Sequence, residues 1–124
     1  MRNEVIEGLK SARVLLENGW TTRQTARNSR GEGVSVYDPT ACSFCVLGAV
    51  WRVGGYVAPL GGDMEELVRR VIRARVPLGN HAPGTYNDAE GRTKEEVLSV
   101  IDEAIELAKA EGCLMEEAIR DAKE

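Results

Sequence analysis

Apolar residues recur at helical spacing from the start of the chain. Val5, Leu9, Ala12 and Leu16 share one face, and Ile6 and Leu15 widen it. A stripe with that period predicts an amphipathic helix over residues 3–18. Asn18-Gly19 reads as its stop, with Gly19 suited to a left-handed cap and Trp20 folding back onto the last turn. From Thr21 to Thr40 the helical period is lost. Val34-Ser35-Val36-Tyr37 alternates like a short strand, Thr21-Thr22-Arg23-Gln24-Thr25 is its expected partner, and the polar, glycine-bearing run from Asn28 to Gly33 forms the tip. Asp38-Pro39-Thr40 offers the capping oxygen and preset proline of a helix start, and Cys42 to Val53 is almost wholly apolar. That combination predicts a buried central helix. Gly48 leaves room for another backbone to approach it, and Gly54-Gly55 ends it.

Two further helices follow by the same logic. Asp63 and Glu66 have capping-box spacing, and Met64, Leu67, Val68, Val71 and Ile72 continue in helical register to about Arg75. Residues 76–85 hold two prolines and two glycines, which break any regular pattern and make a loop leading to Tyr86. Thr93 and Glu96 form a second capping box ahead of Val97, Ile101, Ala104, Ile105 and Ala108. Gly112 is expected to end or kink that helix, leaving Leu114, Met115, Ala118, Ile119 and Ala122 as the apolar stripe of a short terminal one. The fold class is therefore mainly α: four to five helices around a buried central helix, with room for one small β-hairpin. One compact helical domain spans residues 1–124, and the two apolar stripes near the C-terminus predict a homo-oligomer.

Composition adds limits. With 124 residues, 43% hydrophobic and 29% charged, the chain has globular proportions and enough length for a core without a disulfide or metal staple. No apolar run approaches the ~20 residues that cross a bilayer, and the first residues lead straight into the amphipathic pattern, so no membrane association and a cytoplasmic location are expected. Three cysteines are an odd count and read as thiols. The net charge of −4 is uneven: residues 1–93 carry 12 Lys and Arg against 10 Asp and Glu, whereas 94–124 carry 4 against 10. General nucleic-acid binding needs a basic footprint, and the one basic cluster, Arg69 to Arg75, reads as the solvated face of a helix around Val71 and Ile72.

Candidate chemistry concentrates around Tyr86-Asn87-Asp88. A tyrosine can stack on a ring, Asn and Asp can read its edges, and the forks of Arg92, Arg23 and Arg27, with Arg30 beside them, match phosphate; these residues form the candidate ligand-binding set. The competing reading makes Asn87-Asp88 a turn and Tyr86 a core residue. Cys42 or Cys45 with His81, oriented by Asn87 or Asp88, has the residue types of a cysteine hydrolase or transferase in order. The expected helix start at Cys42-Ser43-Phe44-Cys45 would favour thiolate there, which also suits redox chemistry. Zinc ligation by Cys42, Cys45, His81 and Cys113 lacks a second close pair of ligands, so no metal and no cofactor are expected.

Gly19-Trp20 after a first helix, Cys-x-x-Cys-Val-Leu-Gly-Ala from Cys42 to Ala49, and Tyr86-Asn87-Asp88 followed by Gly91-Arg92-Thr93 and Glu96-Val97 resemble the pattern of a family of small uncharacterised proteins encoded by bacteriophages and actinobacteria. The resemblance spans roughly residues 5–108, and Tyr86 stands where relatives often carry tryptophan. It implies a phage or prophage accessory domain with no catalytic residue to transfer. The expected function is non-enzymatic: binding and sequestering a small nucleotide-like ligand, or otherwise inhibiting a host defence protein. The alternatives are the cysteine enzyme and a protein–protein inhibitor acting through an acidic helical face that includes Glu103, Glu106 and Glu111.

Overall fold

The computed structural model describes the backbone over residues 2–77 and 79–122, and side chains within residues 3–112. Five helices and a two-stranded ribbon make up the chain: α1 (Arg2–Asn18), β1 (Ala26–Arg27), β2 (Ser43–Phe44), α2 (Val46–Gly54), α3 (Pro59–Arg75), α4 (Pro83–Asn87) and α5 (Lys94–Ala122). The mainly helical fold class read from the sequence holds.

The core follows the apolar stripes. Val5, Leu9, Ala12 and Leu16 of α1 are buried against α5, whose Val97, Ile101, Ala104, Ile105 and Ala108 face inward, and α3 contributes Met64, Leu67, Val68, Val71 and Ile72. Burying the valine, leucine, isoleucine and methionine side chains among these contributes about 1.5–3 kcal/mol each, which is what pins the three long helices together. α2 packs on α1, α3, α4 and β2, whereas α5 packs on α1 and α3. Gly48 has the function its position implied: an added Cβ would sit 1.9 Å from the carbonyl oxygen of Thr25.

Several boundaries differ from the sequence reading. The apolar run from Cys42 does not begin as helix, because its backbone is engaged sideways: the Cys42 amide donates to the Arg27 carbonyl at 2.9 Å, Phe44 to Gly19 at 2.9 Å and Cys45 to Thr25 at 3.2 Å. Asp38-Pro39-Thr40 forms a turn instead of a helix start, with the Asp38 carboxylate accepting from the Thr40 amide at 2.7 Å and hydroxyl at 2.6 Å. The hairpin tip at residues 28–32 is present, but the strand partners shift. Ala26–Arg27 pairs antiparallel with Ser43–Phe44, while only bridges such as Arg27 to Gly33 join it to the segment before Tyr37. Gly19 is not left-handed; it lacks a Cβ because one would lie 2.1 Å from the Cys42 carbonyl oxygen. α3 starts at Pro59, ahead of Asp63, since Gly61 fits inside the helix against the Gly55 carbonyl. α5 runs through Gly112 without a break, as a single helical glycine costs only about 1 kcal/mol. The stripe from Leu114 to Ala122 lies on side chains outside the described ones.

Candidate functional site

Asn87 is the structural hub of the Tyr86-Asn87-Asp88 segment. It ends α4, is fully buried, and uses both ends of its amide. Oδ1 accepts from Trp20 Nε1 at 2.8 Å and from the Val46 amide at 2.9 Å; Nδ2 donates to the Thr21 carbonyl at 3.0 Å and to Asp88 Oδ1 at 3.0 Å. Two acceptor positions and two donors are thereby filled, which is the full capacity of the side chain. Asp88 is exposed, and its Oδ1 also takes the Arg23 amide at 2.9 Å. That bond holds Arg23 at φ 67°, in the left-handed region.

The neighbouring side chains are similarly committed. Tyr86 is buried, and the Arg92 guanidinium lies 3.6 Å above its ring centre, donating from Nε to the Tyr86 carbonyl and from Nη1 to Glu96. The face of Tyr86 proposed for a ligand ring is thus covered by the chain's own arginine. Arg27 spends its fork on Thr21 Oγ1, the Gly31 carbonyl and the Thr22 carbonyl, at 2.8–3.0 Å. The side chains of Arg23 and Arg30 are exposed. The structure thus brings Asn87, Asp88 and the Arg23 backbone together, and it uses most of the candidate polar set to tie α4 to the first loop and to α2.

The two thiols with described surroundings separate. Cys42 is exposed and lies before β2, off any helix terminus. Cys45 is the N-cap of α2, with Sγ accepting from the Gly48 amide at 3.2 Å, yet burial pushes its thiol up and outweighs the backbone hydrogen bonds that favour thiolate. Activation by a helix start is thus lost at one cysteine by position and at the other by desolvation. His81 is half-buried on the loop before α4, its Nε2 is buried without a hydrogen-bond partner, and among the described residues no hydrogen bond joins it to either thiol. Among the same residues no group of three or more His, Cys, Asp or Glu is placed to hold a metal ion; the Cys113 side chain lies outside them.

An open cleft that the sequence reading did not single out lies beside Trp51 of α2. It encloses about 250 Å³ and is lined by Thr25, Ser35, Val36, Tyr37, Trp51 and Tyr56. Trp51 sits on α2, Tyr56 on the turn that follows it, and Tyr37 on the segment after the hairpin tip. The Trp51 and Tyr56 rings meet edge to face, centroids 4.7 Å apart at 70°. The Tyr37 hydroxyl joins the corner, donating to the Trp51 carbonyl at 3.1 Å and accepting from the Tyr56 amide at 2.6 Å. Three aromatic residues of a chain with only two tryptophans, three tyrosines and one phenylalanine thus converge here, and Tyr37 and Tyr56 keep 52% and 62% of their surface exposed. That concentration of scarce aromatics was the available signal. It was hidden because their order in sequence gives no hint that they meet.

A larger groove of about 580 Å³ runs between α3 and α5, past Arg70, Val71, Ala74, Glu103, Glu106 and Leu107. Its charges are paired: Arg70 with Glu66 and Glu111, Glu103 with Arg75, and Glu106 with Lys109. The three acidic residues of the candidate inhibitor face are therefore each engaged by a cation of their own chain. Among the described residues no helix is long and apolar enough to cross a membrane. No curated protein and no solved structure matches the chain. Helices α1 to α4, the first part of α5, the Gly19-Trp20 junction, the Cys42-to-Ala49 segment and the Asn87 hub fall within residues 1–107, which match the model of the family of unknown function DUF6197, and the chain belongs to that family.

Proposed function

We propose that the protein is a non-enzymatic binder that captures a small, ring-bearing, nucleotide-like ligand in the Tyr37–Trp51–Tyr56 cleft. The convergence of three aromatic side chains around an open space, two of them left half-exposed, is the observation that carries this reading. Pockets that bind small molecules are concave and mostly apolar with a few polar groups, and stacking on exposed aromatics stabilises a bound base by about 1–3 kcal/mol. The buried and hydrogen-bonded Tyr86, Asn87 and Arg92 support a different task for the segment first considered: holding the first loop and α2 in place behind the cleft. Arg23 is exposed on that loop and is not among the residues that line the cleft.

Binding without turnover is favoured over a cysteine enzyme because Cys45 is pushed towards the neutral thiol and, among the described residues, no imidazole is hydrogen-bonded to Cys42 or Cys45. The resemblance to phage- and actinobacterium-encoded proteins supports sequestration as the biological use, with a host defence signal as the target. Thermal shift and native mass spectrometry on a panel of bases, nucleosides and nucleotides test the proposal. A ligand recovered intact, raising the melting temperature of the wild type and losing that effect in Tyr56→Ala, is the expected result. Chemical conversion of the ligand, abolished in Cys45→Ala and His81→Ala, would replace the binder with the enzyme.

A further inference from the structure

We infer that the cleft recognises the ring of its ligand and leaves any phosphate in solvent, so that its ligand class is the nucleobase or nucleoside and not the nucleotide as such. This rests on the proposed binding role of the cleft and sharpens it. The first ground is charge. None of the six lining residues carries one. A phosphate brought against such a wall would lose hydration with no guanidinium or ammonium in return, which is strongly unfavourable. Arg52, next to Trp51 in sequence, is not part of the lining; it is half-buried, with Nη1 on the carbonyl oxygens of Val36 and Asp38 at 2.6 and 3.1 Å. Asp38, next to Tyr37 in sequence, is likewise not part of the lining, and its carboxylate accepts from the Thr40 amide and hydroxyl.

The second ground is size and polarity. About 250 Å³ accommodates one ring system with a sugar at the opening, below the usual ~300–1,000 Å³ of sites that enclose larger ligands. Ser35 Oγ accepts from the Tyr37 amide at 3.1 Å and keeps its own proton to donate. Thr25, half-buried and also in the lining, has no hydrogen bond to its hydroxyl among the described residues. Two hydroxyls that both donate and accept, set beside an aromatic corner, match the edge of a heterocycle and have no preference for an anion.

Calorimetric titration of the full-length protein with the four common nucleosides, their monophosphates and ribose phosphate tests this at two salt concentrations. At least one nucleoside should bind, its monophosphate should match it within about threefold, and raising salt from about 50 to about 300 mM should change neither, since no phosphate contact is screened. Ribose phosphate alone should give no heat, and Tyr56→Ala should weaken nucleoside and nucleotide alike by about tenfold or more. A monophosphate that binds more than about tenfold tighter than its nucleoside, with the advantage lost in high salt, overturns the inference while leaving a ligand-binding protein. Silence from every nucleoside and nucleotide overturns the binding role itself.

Discussion

Asn87 shows how much one buried amide can carry. Replacing it by aspartate keeps the acceptor for Trp20 Nε1 and the Val46 amide but removes both donors, leaving the Thr21 carbonyl unmatched and a carboxylate facing Asp88. Orphaned buried polar groups cost about 1–3 kcal/mol each and an unpaired buried charge more, so Asn87→Asp should lower unfolding stability by about 3 kcal/mol, read as an earlier midpoint in urea. Replacing it by leucine should cost a comparable amount by stranding Trp20 and Val46 instead. Val57 gives an opposite case. It is 82% exposed and holds φ 61°, a conformation that a β-branched residue adopts only under strain. Val57→Asn should therefore raise stability by up to about 1 kcal/mol, measurable by thermal denaturation, because asparagine tolerates the left-handed region. If the strained turn holds Tyr56 over the cleft, the same substitution should weaken ligand binding while stabilising the fold.

At the scale of elements, α2 and α5 depend on different local devices. The approach of Thr25 to Gly48 leaves no space for a methyl group, and the clash is with backbone, which cannot swing aside. Gly48→Ala should destabilise by about 1–3 kcal/mol and loosen the loop that supplies Thr25 to the cleft; denaturation together with ligand titration reads both effects. α5 begins with the Thr93–Glu96 capping box. Glu96 is held below its ordinary range first by the Thr93 amide, with Arg92 adding to it. A depressed carboxylate stabilises the native state at pH values above its unfolded pKa, and that contribution disappears as acidification protonates it through its lower native value. Wild type should thus lose stability between neutral pH and the acid side of the carboxylate range more steeply than Glu96→Gln, in parallel unfolding curves. Both capping residues and the spacing of α1 and α5 were legible in sequence because they are local, a few residues apart. The start of α2 was not. An apolar run after Asp-Pro-Thr suits helix or strand equally, and the choice was made by Gly19, Thr25 and Arg27, which take its amides from far away in the chain. The filled state of Asn87 was illegible for the same reason, as its partners Val46 and Trp20 lie 41 and 67 residues distant.

For the molecule as a whole, the two thiols with known surroundings offer a direct reading of how cooperatively this small core opens. Cys42 is exposed at the edge of the ribbon; Cys45, three residues on, is buried at the start of α2 and packed with it against α1, α3 and α4. Alkylation needs thiolate and access, and Cys45 has neither in the native state, since burial raises its pKa and hides its sulfur. If the helices that cover α2 move only together, Cys45 is reached solely through global unfolding, and its labelling rate must fall with the full unfolding free energy. In a Cys113→Ser background, a maleimide or iodoacetamide pulse should label Cys42 at once and Cys45 only at the rate set by denaturant-dependent unfolding. Ligand bound in the cleft should slow the Cys45 reaction in proportion to its stabilisation and leave Cys42 unchanged. Equal native labelling of both would mean that α2 and the ribbon open locally, and the cleft built on Trp51 would then be a mobile surface rather than a preformed one.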